Sequence, residues 1–129
     1  MIKTGLVGKE EAIVSLSKCA REMSSGDLDI FATPSLVALM EASAINCVKN
    51  KLGIGETTVG ISVNVKHTSP TPTGMTVWAE SELTEIDGRR LTFKITAYDK
   101  SGVIGTATHE RMIVEKEKML EKANSKMNK

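Results

Sequence analysis

Three side chains carry reactive groups in places where their surroundings are otherwise plain. Glu41 is the only charged residue between Phe31 and Val48. At about 100° per residue it falls between Val48 and Ile45 in an apolar arc of a helix. A carboxylate there must be paired, hydrogen-bonded or protonated, because desolvation disfavours the charged form. Its structural alternative is a carboxylate bonded to a neighbouring strand or facing solvent through a gap. His67 continues the alternating stripe Val59, Ile61, Val63, Val65 and stands just before a loop with two prolines. That is a place where a base can be positioned and also one where a core histidine can sit. Thr33 precedes Pro34 at the start of an apolar run. The pair reads as N-cap and first helical residue, since the hydroxyl can accept an orphan amide and proline has none to leave unpaired. The same hydroxyl, or the free amides behind it, could face a carbonyl under attack and steady a developing oxyanion. Gly60 lies mid-strand on the polar parity, which marks a bulge or the close approach of another backbone or a ligand. His109, in Thr108-His109-Glu110-Arg111, has charges on both faces, which places it at an exposed edge or interface in a structural role. Two histidines without a compact ligand cluster argue against zinc.

The elements that would hold these residues follow from periodicity. Leu36, Val37, Leu39, Met40, Ala42, Ala44, Ile45, Cys47 and Val48 point to nearly all sides of a helix running from Pro34 to about Val48, the pattern of a helix enclosed by protein. From Thr57 the period becomes two. One strand carries Val59 to His67, a second Met75 to about Ile86, a third Leu91 to Ala97, and a fourth Val103 to Val114. Asp87-Gly88 signals a type I′ hairpin. Short connections imply an antiparallel meander. A further strand is expected near Ala12 to Leu16, and Glu115 to Lys129, where Glu and Lys alternate, reads as a terminal helix or tail. One small sheet covers only part of such a helix, so a second copy is expected to close the core and the sheet edges, giving a homodimer.

Composition narrows the functions. A chain of 129 residues fits one domain, here 1–129. With 17 basic and 16 acidic residues the net charge is +1, so no overall field favours nucleic acid or an anionic membrane. Cys19 and Cys47 show no metal or redox spacing, and no signal-peptide pattern opens the sequence. No apolar run approaches the roughly 20 residues of a membrane span. A soluble protein of the reducing cytoplasm is expected.

Several blocks are similar to the fluoroacetyl-CoA thioesterase-like family: Ser25-Gly26-Asp27-Leu28-Asp29-Ile30-Phe31-Ala32-Thr33-Pro34 continuing to Glu41, Thr57-Thr58-Val59-Gly60, His67-Thr68-Ser69-Pro70-Thr71-Pro72-Thr73-Gly74-Met75, Leu83 to Phe93, and Thr108-His109-Glu110-Arg111. They recur in order across nearly the whole chain. The resemblance implies an α+β hotdog fold, a long central helix wrapped by a curved antiparallel sheet, in a dimeric enzyme that hydrolyses a small acyl-CoA thioester. It nominates Thr33, Glu41 and His67 as the catalytic constellation and Gly60 as a substrate contact, with no metal and no cofactor beyond the CoA of the substrate. In that chemistry His67, assisted by Glu41, activates Thr33 or a water. Substrate choice does not carry over with the fold. The family's named activity relies on aromatic gating of the acyl pocket, whereas Met23 to Asp29 has no aromatic residue and the whole chain is 3% aromatic. Two other readings use the same scaffold: a non-catalytic acyl-CoA or small-ligand binding module, and a dehydratase, which the absence of an acid and histidine pair on the central helix disfavours.

Overall fold

The computed structural model describes residues 1–128. In chain order it contains β1 (Val7–Ile13), a 3-10 turn (Leu16–Lys18), α1 (Thr33–Val48), β2 (Glu56–His67), β3 (Thr76–Asp87), β4 (Arg90–Asp99), β5 (Gly102–Glu115), α2 (Lys116–Asn124) and a second 3-10 turn (Ser125–Asn128). The expected terminal helix is thus present as α2, while Lys129 lies outside the described residues. The strands form one antiparallel sheet in the order β1-β3-β4-β5-β2, with α1 against its concave face.

Helix α1 buries Ser35, Leu36, Leu39, Met40, Ser43, Ala44, Cys47 and Val48, the i, i+3, i+4 spacing of one helical face. They meet Val77, Ala79 and Leu83 from β3, Leu91, Phe93, Ile95 and Ala97 from β4, and Ile104 and Ala107 from β5. These strand residues follow the period of two that the sequence displays. The opposite face of α1 is less covered than the sequence suggests. Ala38 and Ile45 are exposed, and Val37, Glu41 and Ala42 are half-buried. A five-stranded sheet reaches only one stripe of a helix.

Three other expectations are corrected. The first strand spans Val7–Ile13 rather than Ala12 to Leu16. It carries little apolar signal because it is an edge strand, and at Gly8 it passes so close to α1 that an added Cβ would collide with the Ser43 carbonyl oxygen and the Cys47 backbone. The β3–β4 turn has Gly88 and Arg89 at its centre, between the paired Asp87 and Arg90. Only Gly88 has positive φ, 62°, the pattern of a type II′ turn rather than I′.

The third correction concerns β2, which does not continue into a meander with β3. It pairs with β5 at the far edge of the sheet. Residues 68–75 carry the chain past the start of α1 instead, held by Thr68 N–H to Ile104 O (2.8 Å), Phe31 N–H to Thr71 O (2.9 Å) and an isolated bridge between Ile30 and Pro72. Thr71 is fully buried there and donates to Asp99 Oδ2 at 2.9 Å. This crossing sets the end of β2 beside the first turn of α1.

Candidate active site

The crossing brings Thr33 and His67 together. Thr33 Oγ1 lies 2.8 Å from His67 Nδ1. Thr33 is not the N-cap: Ala32 is, with extended φ and ψ, and its carbonyl accepts the first helical bond from Leu36 N–H. Thr33 thus occupies the first helical position and Pro34 the second, where proline is still free of any amide obligation. The hydroxyl is committed to the histidine instead of the helix. Both side chains line a cleft of about 230 Å³ with Ile30, Thr68, Ser69 and Pro70. The Phe31 ring stands edge-on to the imidazole, 6.4 Å between centroids at 80°. Burial pushes the His67 pKa below its ordinary value, which keeps the ring neutral and able to take a proton. Its Nε2 is buried without a hydrogen-bond partner among the described residues.

Glu41 lies in a second cluster. It stands eight positions after Thr33 on α1, about 12 Å along the axis. Its Oε2 accepts from Arg111 Nη1 at 3.1 Å, and His109 Nε2 is 4.0 Å away. The guanidinium is gripped on its other edges by Thr58, with Nε to Thr58 Oγ1 at 2.9 Å and Nη2 to Thr58 O at 3.1 Å. Arg111 is 4% exposed and His109 is 0% exposed, so the edge or interface position expected for His109 is corrected. Both lie on β5, which runs between β4 and β2, and their side chains follow the inward parity of Ala107. Burial lowers the pKa of each, more than the neighbouring Glu41 carboxylate restores for Arg111.

Gly60 belongs to the same cluster. An added Cβ there would come 2.5 Å from Glu41 Oε2 and 3.3 Å from both Arg111 Nη1 and His109 Cε1. The bulge read from a mid-strand glycine is present, while the close approach is that of side chains rather than of another backbone. The register with β5 shifts between Gly60 and Ser62, leaving Ile61 unpaired and 48% exposed. Through this bulge the inward face passes from Thr58 and Gly60 to Val63, Val65 and His67, whereas strict alternation would put Gly60 outside. One chain therefore presents two clusters on the concave side of the sheet, Thr33 with His67 and Gly60 with Glu41, His109 and Arg111. Among the described residues no group of three or more His, Cys, Asp or Glu could hold a metal ion.

The model of the family described as fluoroacetyl-CoA-specific thioesterase matches residues 14–117. The chain belongs to that family. The span matched by this thioesterase family contains all of the residues in both clusters. A fluoroacetyl-CoA thioesterase of Streptantibioticus cattleyicolor is 38% identical over 98 residues, covering 76% of this chain and 70% of the relative. The solved structure of a fluoroacetyl-CoA thioesterase superposes with a TM-score of 0.92 at 31% identity, covering 98% of each chain. A hot-dog-like protein from Thermanaerovibrio acidaminovorans superposes at 0.86 with 21% identity over 95% of this chain and 91% of its own. The architecture is the hotdog fold, α+β, with α1 as its central helix. Relative to the sequence reading of this family, Arg111, His109 and Thr58 are additions. The signal for two of them was the parity of β5, which puts 107, 109 and 111 on one face.

Proposed function

We propose that this protein is an acyl-CoA thioesterase that releases a small free acid and CoA, and that its working form is a homodimer. The observation that carries the reading is the 2.8 Å contact between Thr33 Oγ1 and His67 Nδ1, open to a cleft in a chain of a thioesterase family. A neutral imidazole accepts the proton of the threonine hydroxyl, or of a water in its place, as the oxygen attacks the thioester carbonyl. The free amides of the first turn of α1 serve the oxyanion. Proton transfer leaves positive charge on a ring whose Nε2 has no acceptor among the described residues. A carboxylate supplied there stabilises the imidazolium.

Within one chain Glu41 is too far away to be that carboxylate, and this supports a site shared by two copies. Strand β2 is a free edge. Ile61 on the strand itself and Ile45 on α1 are exposed apolar side chains open to such a partner. Two such edges paired antiparallel about an axis near Val63 and Asn64 set His67 of one copy opposite Gly60 of the partner subunit, beside that subunit's carboxylate cluster. In this arrangement Gly60 leaves room for the acyl group, and Arg111 holds Glu41 in place. Two buried free cysteines support a reducing, cytoplasmic setting. No helix among the described residues is long and apolar enough to cross a membrane.

Complementation tests the shared site. His67→Ala and Glu41→Gln proteins, each inactive alone, are unfolded together and refolded, and thiol release from short acyl-CoAs is followed. A site built from both copies restores one intact centre in each mixed dimer, about a quarter of wild-type activity for a statistical mixture. No recovery refutes the shared site, and a wild-type protein that turns over none of the thioesters refutes the hydrolase.

A further inference from the structure

We propose that His109 is a positioning residue that works in a single tautomer, neutral with its proton on Nδ1, and that its bare Nε2 holds the Arg111 guanidinium against Glu41. The inference rests on the reading of Glu41 as the catalytic carboxylate, but its geometry stands on the chain itself.

Two hydrogen bonds fix the tautomer independently. His109 Nδ1 lies 2.8 Å from the Ser62 carbonyl oxygen, which can only accept, so Nδ1 carries a hydrogen. His109 Nε2 lies 3.1 Å from Arg111 Nη1, and a guanidinium can only donate, so Nε2 presents its lone pair. Both bonds are satisfied by one neutral form. The other neutral tautomer breaks both of them at once. The charged ring sets N–H against N–H and adds a second positive charge 3.1 Å from the guanidinium.

The surroundings of the ring offer little to offset that charge. From α1 it faces Glu41, whose Oε2 is 4.0 Å from Nε2 and already accepts from Arg111. From β4 it faces the Phe93 ring, 6.1 Å between centroids. From β2 it faces Ser62 O and Gly60. On β5 its charged neighbours are Arg111 and Glu110, and Glu110 is occupied by Ser62 Oγ at 2.7 Å and Arg90 Nε at 3.8 Å. The lowered pKa of His109, caused first by burial and then opposed by the Ser62 bond before Arg111 lowers it further, agrees with the neutral ring.

The consequence for Glu41 follows from counting donors. Thr58 secures the Nε and Nη2 edges of Arg111, so Nη1 alone is shared between Glu41 and His109. Without an acceptor at position 109, the Nη1 hydrogen that faces the ring is left buried and unpaired, and a guanidinium that tilts to satisfy it no longer sets the half-exposed Glu41 carboxylate in place.

Paired substitutions separate this role from bulk. The amide oxygen of glutamine reaches the position of Nε2 and restores the acceptor for Arg111. Asparagine places its amide at the level of Nδ1, keeping the donor to Ser62 O and losing the acceptor. His109→Asn is expected to lower kcat about tenfold or more, with KM changed far less, because a misplaced catalytic group acts on the transition state. His109→Gln is expected to stay within about threefold of wild type, with the two variants melting within about 3 °C of each other because each gives up one of the two ring bonds. Ring 15N shifts of labelled wild-type protein at pH 7 should report the Nδ1–H neutral form. Equal kinetic losses in the two variants overturn the proposal, as does a charged or Nε2-protonated His109 ring. A wild-type chain without thioesterase turnover sinks the parent reading instead, and the ring shifts then still decide the tautomer.

Discussion

Gly60→Ala is the sharpest probe of how the carboxylate cluster is placed. The backbone at Gly60 has no positive φ, so alanine fits it without strain and should add roughly 0.4–1 kcal/mol by restricting the unfolded chain. Against this, the new methyl stands 2.5 Å from Glu41 Oε2, where ordinary contact begins at 3.4 Å. The carboxylate must retreat by about 1 Å, and its 3.1 Å bond to Arg111 lengthens or breaks. Because the retreating Glu41 side chain is 37% exposed and the buried Arg111 keeps its bonds to Thr58 and His109, weakening the pair costs only about 1 kcal/mol. The two effects nearly cancel, so the melting temperature should move by no more than about 4 °C. Catalysis has no such offset: an ångström of misplacement at a catalytic group costs about 10² in rate, equivalent to about 2.7 kcal/mol of barrier. The assay is thiol release from a panel of short acyl-CoAs alongside thermal melts of the same samples. Turnover within about twofold of wild type at an unchanged melting temperature would refute the argument. A large drop in melting temperature would refute the account of the backbone.

Other expectations follow from the same geometry. Thr33→Ala should cost no more than its bond to His67, about 1 kcal/mol, while Thr33→Ser keeps activity; because the hydroxyl caps nothing, adding Thr33→Ala to His67→Ala should leave the melting temperature almost unchanged, and a further loss worth about 1 kcal/mol would mean a cap after all. His67→Ala should reduce kcat by about 10² or more in the thiol-release assay while the protein stays folded. His67 and His109 both have pKa values lowered below 6.5 in the folded chain, so the unfolded state binds more protons as the medium turns acid. Their contribution to stability is full above pH 6.5 and is lost as pH falls through the folded values, which denaturant melts at a series of pH values will show. Gly8→Ala should be among the most damaging single changes, since the added methyl meets helix backbone rather than a movable side chain; a wild-type melting curve would contradict the close passage of β1 over α1.

Much of this architecture was legible because periodicity reports what faces the core. The position of α1 as the core helix and the inward parity of β3 and β4 follow from spacing alone, whereas the open face of α1 does not, because apolar residues occupy nearly all of its sides. Glu41 stood out for the same reason, as a charge inside an apolar pattern. What escaped notice depends on contacts far apart in sequence. Thr33 read as a cap because nothing local reveals an acceptor 34 residues away at His67. His109 and Arg111 read as exposed because charge normally marks solvent, and only their partners Ser62, Thr58 and Glu41, on other elements, allow them to be buried. The placement of β2 beside β5 was hidden because a connection of this length fits a crossing as well as a hairpin. Gly60 signalled the β2 bulge, but its effect on which residues face inward was masked, since Ile61 preserves the appearance of strict alternation while pointing away from the core.

That bulge gives the chain a parity requirement. Gly60 and His67 are an odd number of residues apart, and in an unbroken strand such a pair would face opposite sides of the sheet. They share a side because one residue between them is uncounted by the ladder. The length of this segment therefore constrains the protein more tightly than its composition does. Pairing Ile61 as an ordinary ladder residue would turn His67 outward, away from Thr33, whereas removing Ile61 would leave Gly60 and His67 six residues apart and still facing the same side. A single insertion or deletion elsewhere between Gly60 and His67, with the bulge kept, acts like a frame change written in three dimensions, and only the bulge residue itself is exempt.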